Sequence, residues 1–202
     1  MICFVLPRSN SLISPSVKIA LMNKYIVFLA LSLLSLAACK QKPDDVVVSA
    51  NKKVAAINKK LPDYKQKLVD DITSPAKGNI TGYYRDDEVK KVYAEHFSDT
   101  DRIFAAYYFD DGMLIYAEEQ DYKYNCSNKI TPEIAAANHD SVYYDDKKTR
   151  LLVSRYYFDK NKLIKWEPPI ADGQPAPTGD LIAKESLLWA QTLVLLKQLK
   201  DE

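Results

Sequence analysis

The 202-residue chain predicts an α+β fold, in which N-terminal and C-terminal helices cover an antiparallel β-meander of about six to eight strands. Tyrosine, phenylalanine and branched aliphatic residues dominate residues 80–166, and turn-forming residues interrupt them at short intervals. Apolar residues at helical spacing precede and follow this region. Because the predicted strands carry apolar residues on both faces, the terminal helices are needed as a cover.

One motif occurs twice, at residues 107–115 and 156–164. In each copy a strand ends in Tyr-Tyr-Phe-Asp, a residue that tolerates positive φ follows, and a second strand begins with Leu-Ile. Gly112 and Asn161 occupy the turn positions, where tight hairpins favour these residue types. The motif therefore predicts two β-hairpins. It is similar to MORN-like variant repeats of some bacterial antitoxin-type proteins, and we interpret the similarity as convergence on hairpin chemistry.

Helices are predicted on both sides of the strands. Apolar spacing indicates helix from Val46 to Ile72. Pro62 interrupts this stretch, which is therefore either two helices or one helix that restarts at Pro62-Asp63. Thr131-Pro132-Glu133 has the cap, the proline and the acid that begin a short helix.

The C-terminal part is predicted to be a linker and a helix. Prolines make residues 168–177 a semi-extended linker. Asp180 then caps an apolar helix to about Leu199, which either docks on the sheet or contacts a partner or lipid.

The N-terminal segment predicts a signal peptide. Met22-Asn23-Lys24 precedes an apolar run over residues 25–35, and small residues follow it. This order is typical of a signal peptide, and the run is shorter than the roughly 20 apolar residues of a spanning helix. Residues 1–38 are therefore predicted to be a leader and signal peptide with its true start at Met22. An uncleaved anchor or a plain secretory signal is the alternative.

Leu36-Ala37-Ala38-Cys39 resembles the lipobox of bacterial lipoproteins. The resemblance implies that signal peptidase recognises Leu36, Ala37 and Ala38 and that Cys39 becomes the lipidated N-terminus, with acyl chains such as palmitate. Two or more acyl chains anchor a protein stably, so the membrane is a predicted partner through Cys39. Lys40 stands where enteric inner-membrane lipoproteins have aspartate, which implies the periplasmic face of the outer membrane.

Downstream of Cys39 we expect a tether over residues 39–50 and a single domain over residues 51–202. Without the leader, which holds three basic residues and no acid, the chain has 25 basic and 27 acidic residues. This near-neutral balance gives no reason to expect nucleic acid as a partner. Cys3 is removed with the leader, so Cys126 is the lone thiol besides Cys39 and no intramolecular disulfide is expected.

The sequence predicts no catalytic residue, no cofactor and no metal. His139-Asp140-Ser141 contains the residue types of a triad, but side chains of sequence neighbours point apart. His96, His139 and one cysteine are a poor zinc set. Five Asp-Asp pairs lack the loop pattern of a calcium site, and we interpret them as turn and helix-end residues.

Aromatic residues are the candidates for a binding surface. Aromatic side chains on a sheet either stack on the apolar faces of a ligand such as carbohydrate or stabilise cross-strand contacts. The candidate residues are Tyr107, Tyr108, Tyr156, Tyr157, Trp166 and Trp189.

The leading hypothesis is a membrane-anchored envelope lipoprotein that acts as a non-enzymatic binding or assembly module with an envelope protein partner. One alternative is a carrier of an apolar ligand or lipid, which needs a cavity of several hundred Å³ between sheet and helix. Another alternative is an immunity-type inhibitor of a periplasmic toxin.

Overall fold

The computed structural model describes residues 42–171, 173–176 and 179–201. The predicted leader, the lipobox and Cys39 lie outside the described residues. Within the described part, no helix is both long enough and apolar enough to cross a membrane. The elements are, in chain order, helix α1 (Pro43–Lys60), a 3₁₀ turn (Leu61–Asp63), strands β1 (Lys65–Asp70), β2 (Gly78–Arg85), β3 (Glu88–Phe97), β4 (Asp101–Asp110) and β5 (Met113–Lys123), helix α2 (Pro132–Ala137), a second 3₁₀ turn (Asp146–Lys148), strands β6 (Arg150–Asp159), β7 (Lys162–Glu167), β8 (Ile170–Ala171) and β9 (Gln174–Pro175), and helix α3 (Leu181–Asp201).

Strands β1 to β7 form one antiparallel sheet in sequential order, and β8 and β9 form a separate two-stranded hairpin. Together with the N-terminal and C-terminal helices, this sheet confirms the predicted α+β meander. Each strand follows its neighbour directly in the chain, except that the loop containing α2 separates β5 from β6.

Three tight turns lie at the same end of the sheet. Asp111 and Gly112 have φ of 49° and 70° in the β4–β5 turn, and Lys160 and Asn161 have φ of 48° and 66° in the β6–β7 turn. Two successive residues in the left-handed region are characteristic of type I′ hairpins, so the two hairpins predicted from the repeat are confirmed. The β2–β3 turn over residues 86–87 has the same geometry, with φ of 51° and 61°.

Side chains join these turns to one another and to α3. The Glu88 carboxylate accepts a hydrogen bond from the Gly112 amide at 2.9 Å. The Asn161 side-chain oxygen accepts one from the Leu114 amide at 3.0 Å. The Trp189 indole of α3 donates to the Asn161 carbonyl at 2.9 Å. The three turns therefore form a connected row that also fixes the first half of α3.

Alternation along the strands divides the buried residues into two cores. We call the two sides of the sheet the α1 face and the α3 face, after the helix that packs on each. The core of the α3 face consists of Val69, Ile80, Val92, Ala94, Ala105, Tyr107, Phe109, Leu114, Ala117, Tyr156, Phe158, Leu163, Leu188, Leu195 and Leu199. The core of the α1 face consists of Ala50, Ile57, Tyr108, Ile115, Tyr116 and Tyr157.

The predicted boundaries at the N-terminal side are wrong in two places. Helix α1 begins at Pro43, inside the expected tether over residues 39–50, because Val46 and Ala50 are already buried. The expected helix does not continue to Ile72, because Pro62 ends it and the following residues pair with β2 as strand β1. Near the C-terminus, the expected linker over residues 168–177 contains the β8–β9 hairpin.

Candidate binding site

The aromatic residues proposed from the sequence do not form an exposed platform. Tyr107, Tyr108, Tyr156 and Tyr157 are only 1–6% exposed, because each repeat places one tyrosine in the core of either face. Trp166 and Trp189 are partly buried against the core of the α3 face. The four tyrosines are therefore core residues and not an exposed surface, although Tyr107 and Tyr156 also line the cavities described below.

The structure forms a mainly apolar cleft of about 420 Å³ between α3 and strands β3 to β5. Small side chains form the floor of the cleft, where Ala94 of β3 and Ala105 of β4 are direct register partners. Val194 and Leu195 of α3 form the opposite wall. The short alanine side chains leave space that the helix does not fill, and the walls are mainly apolar.

One end of this cleft holds a buried carboxylate. Asp71 lies just after β1, and its side chain is 2% exposed. It accepts hydrogen bonds from the Thr73 amide at 2.9 Å and the Thr73 hydroxyl at 2.6 Å, and His96 Nδ1 lies 3.2 Å from its other oxygen. Burial opposes ionisation of Asp71, but the hydrogen bonds from Thr73 and His96 outweigh it and lower the pKa of the carboxyl. Asp71 is therefore an anion in the cleft at neutral pH.

A second carboxylate, Glu119 of β5, lines the same cleft. It accepts a 2.6 Å hydrogen bond from the Tyr156 hydroxyl, and the ammonium of Lys184 lies 3.5 Å away. The same ammonium lies over the rings of Tyr156 and Trp166, at 4.8 Å and 5.5 Å from their centroids. The Glu119 carboxylate and the two aromatic rings thus surround the Lys184 ammonium, a cation of the protein itself.

A smaller cavity of about 300 Å³ adjoins the first, because Ile103 and Glu119 line both. Asp121, Ser154 and Trp166 are among its other lining residues. Burial raises the pKa of Asp121, although Lys123 at 3.2 Å favours its ionised form. We refer to the two adjoining cavities together as the α3 groove.

Tyr107 and Tyr156, the equivalent tyrosines of the two repeats, both line the groove. Burial and the nearby charge of Glu119 raise the pKa of the Tyr107 phenol, so it remains protonated. Two other polar atoms of the groove, Asp121 Oδ1 and Trp166 Nε1, are buried and have no hydrogen-bond partner among the described residues. A buried polar group without a partner is costly unless something else satisfies it.

The histidine and cysteine positions do not add a catalytic set. His96 lies at the groove, whereas His139 is an exposed residue after α2 with φ of 54°. The hydroxyl nearest to the His96–Asp71 pair belongs to Thr73 and donates to Asp71. Half-buried Cys126 lies in the loop before α2. Nowhere in the described ranges do three or more His, Cys, Asp or Glu side chains form a group that could hold a metal ion.

Aromatic side chains that the sequence reasoning did not select form a half-exposed cluster on the α1 face. Phe104 contacts Tyr93, Phe97 and Tyr122, with ring centroids 5.5–6.3 Å apart. The guanidinium of Arg102 lies 4.7 Å from the centroid of Tyr122. Alternation along β4 places Phe104 on this face, whereas the extent of α1 could not be read from the sequence.

Comparison with protein-family models, with curated proteins and with solved structures finds no match to the chain.

Proposed function

We propose that this chain is an envelope lipoprotein, held at the periplasmic face of the outer membrane through lipid on Cys39, which binds a small and mainly apolar ligand in the α3 groove. In this proposal the protein is a non-enzymatic binding module that acts as a carrier of an apolar molecule. The observation that carries the proposal is the cleft of about 420 Å³ under α3. Small-molecule sites are typically clefts of about 300–1,000 Å³ with apolar walls and few polar groups.

The attachment of α3 supports a groove that persists without ligand. Near the start of the helix, Glu185 accepts a 2.5 Å hydrogen bond from the Leu163 amide, and Trp189 is bonded to Asn161. Near its end, the Gln198 side chain accepts a 3.0 Å bond from the Ile72 amide. The stretch over residues 190–195, which borders the cleft, lies between these two attachments. Contacts at both ends thus hold the helix over the sheet, while Ala94 and Ala105 of the sheet leave space beneath its middle part.

The anchoring part of the proposal is tested by palmitate labelling. Cys39 is expected to carry the label, so a Cys39→Ala variant should take up none. A Cys39→Ala chain that is labelled as strongly as the unaltered chain contradicts anchoring at this residue.

The binding part is tested by filling the cleft. The full chain, reconstituted in phosphatidylcholine nanodiscs, is titrated calorimetrically with 1-octanol, with empty nanodiscs as the blank. Ala105→Leu places an apolar side chain in the cleft and should abolish the specific heat. Ala56→Leu makes the same substitution at an exposed position of α1 and should leave binding unchanged. Equal binding by all three chains would contradict the groove as the site.

Assembly with an envelope protein is the second candidate, and exposed apolar residues on α3 favour it. Ile182 and Leu193 are 74% and 59% exposed. A protein crosslinked to the unaltered chain in envelopes should be lost with Leu193→Lys and retained with Leu68→Lys, which alters an exposed leucine of β1. Retention in both variants would contradict an α3 interface.

A further inference from the structure

We infer that the ligand of the α3 groove is a cationic amphiphile, which is an ammonium group joined to a short apolar chain or ring. This inference rests on the proposed function and names the chemical class of its ligand. Four observations support it: the charges of the lining, the surroundings of Lys184, the unpartnered carboxyl oxygen of Asp121 and the apolar walls.

The acids that line the groove outnumber the bases. Asp71, Glu119 and Asp121 are the acids among the described lining residues, and His96 and Lys184 are the bases. Lys184 is already paired with Glu119, and His96 is already paired with Asp71. An anionic ligand such as a fatty acid would bring its carboxylate among these anions, where close like charges are unfavourable. A cationic ligand finds complementary charge in the same place.

Lys184 shows that this part of the groove accommodates an ammonium. Its side chain is 19% exposed, so the charge is largely withdrawn from water. The Glu119 carboxylate at 3.5 Å and the rings of Tyr156 and Trp166 replace the lost water contacts. The chemistry that stabilises this internal cation is also available to a ligand ammonium in the adjoining cavity, which Glu119 lines as well.

A carboxyl oxygen of Asp121 is an independent indication of a polar group in the ligand. Its Oδ1 atom is buried in the smaller cavity and no described residue hydrogen-bonds to it, while Lys123 lies 3.2 Å from Oδ2. A carboxylate oxygen accepts hydrogen bonds, and an ammonium has three N–H donors to offer. A ligand ammonium in the smaller cavity would therefore satisfy an atom that the protein leaves without a partner.

The remaining walls suit the apolar part of the ligand. Ala94, Ala105 and Ile103 lie on the sheet side, and Val194 and Leu195 lie on the helix side. Burying an alkyl chain between them removes apolar surface from water, which favours binding. A ligand with both parts uses the carboxylates and the walls at once.

The test compares three probes that share one chain and differ in charge. Octylammonium, 1-octanol and octanoate are each titrated at pH 7 into the full chain in phosphatidylcholine nanodiscs, against empty nanodiscs. Octylammonium should bind about tenfold or more tightly than octanoate, with 1-octanol between them, since one charge-assisted contact alters affinity by about that factor. Octanoate that binds as tightly as octylammonium would overturn the inference.

A matched pair of variants locates the effect. Glu119→Gln keeps an acceptor for Tyr156 but removes the charge in the groove, so octylammonium should bind about tenfold more weakly while 1-octanol is unaffected. Glu118→Gln makes the same change one residue earlier on β5, where the side chain points to the α1 face beside Tyr116, and should leave both probes unaffected. Equal weakening of octylammonium by both variants would contradict a site at Glu119.

The outcomes distinguish a failure of the cationic ligand from a failure of the proposed function. If no octyl probe binds, or if binding survives Ala105→Leu, the proposed function itself fails. If the probes bind in the cleft with octanoate preferred or equal, the proposed function stands and the cationic ligand is rejected.

Discussion

The two faces of the sheet are built from the same repeated motif, yet α1 packs directly on a row of tyrosines whereas α3 leaves a groove above the sheet. On the α1 face, Tyr108, Tyr116 and Tyr157 form a row of rings with centroids 5.2–5.7 Å apart, and Ala50 and Ile57 of α1 pack on them. On the α3 face, Ala94 and Ala105 are register partners on neighbouring strands, and both line the cleft. The size of side chains under each helix, not the fold, therefore decides which face has space for a ligand.

The tyrosine hydroxyls of the two faces also have different surroundings. On the α1 face, Tyr108 donates to Asn58 at 3.1 Å and Tyr116 donates to Glu118 at 2.9 Å. On the α3 face, Tyr156 donates to Glu119 at 2.6 Å, whereas Tyr107 lines the cleft. The groove also holds two buried polar atoms, Asp121 Oδ1 and Trp166 Nε1, that have no hydrogen-bond partner among the described residues.

The largest effect should come from enlarging one alanine on each face. Ala50→Leu forces extra atoms into the packed interface between α1 and the tyrosine row, and should lower the free energy of unfolding by about 2 kcal/mol. Ala105→Leu places the same atoms in the open cleft, and should change it by less than about 1 kcal/mol. Urea unfolding of the two full-length variants measures the difference. Similar losses in both would show that the α3 face is packed as tightly as the α1 face.

The second effect concerns the equivalent tyrosines of the two repeats. Tyr156→Phe removes the hydrogen bond to Glu119 and should lower the free energy of unfolding by about 1–2 kcal/mol, because the acceptor is charged and partly buried. Tyr107→Phe removes a hydroxyl of the cleft lining without breaking the bond to Glu119, and should lower stability less than Tyr156→Phe does. Thermal or urea unfolding of both variants tests the contrast. A loss with Tyr107→Phe as large as that with Tyr156→Phe would contradict it.

The local features of the fold could be predicted because each depends on few neighbouring residues. Gly112 and Asn161 mark their turns through their own conformational preference, and Asp180 caps α3 through bonds within one helical turn. Leu68 was misassigned because its spacing from the α1 residues also fits a helix. The pairing of β1 with β2, which makes it a strand residue, is a tertiary contact.

The groove could not be predicted, because its residues meet only through long-range pairing. Asp71 and His96 are 25 residues apart and are brought together by the strand order β1-β2-β3. Ala94 and Ala105 become a single small patch only in the register of β3 and β4. The position of α3 over that patch depends on contacts at both of its ends, which no local pattern encodes.

The smallest effect is the acid dependence of stability, for which Asp71 on the α3 face and Glu118 on the α1 face are compared. Hydrogen bonds hold the pKa of each carboxyl below its ordinary value, although burial opposes this. A folded pKa below the unfolded one means that the folded state binds protons less readily. The stability that each ionised group contributes is therefore present above its ordinary pKa, about 4, and is lost as the pH falls through the folded value.

Replacing either acid by its amide removes that dependence and should flatten the decline of unfolding free energy below pH 4. Asp71→Asn should flatten it more than Glu118→Gln, because the Asp71 side chain is 2% exposed whereas Glu118 is 23% exposed and better screened by solvent. Urea unfolding between pH 2.5 and pH 6 measures both slopes, with the unaltered chain as the reference. A steeper decline in Asp71→Asn than in the unaltered chain would contradict an ionised Asp71 at the groove, and with it one of the charges on which a cationic ligand depends.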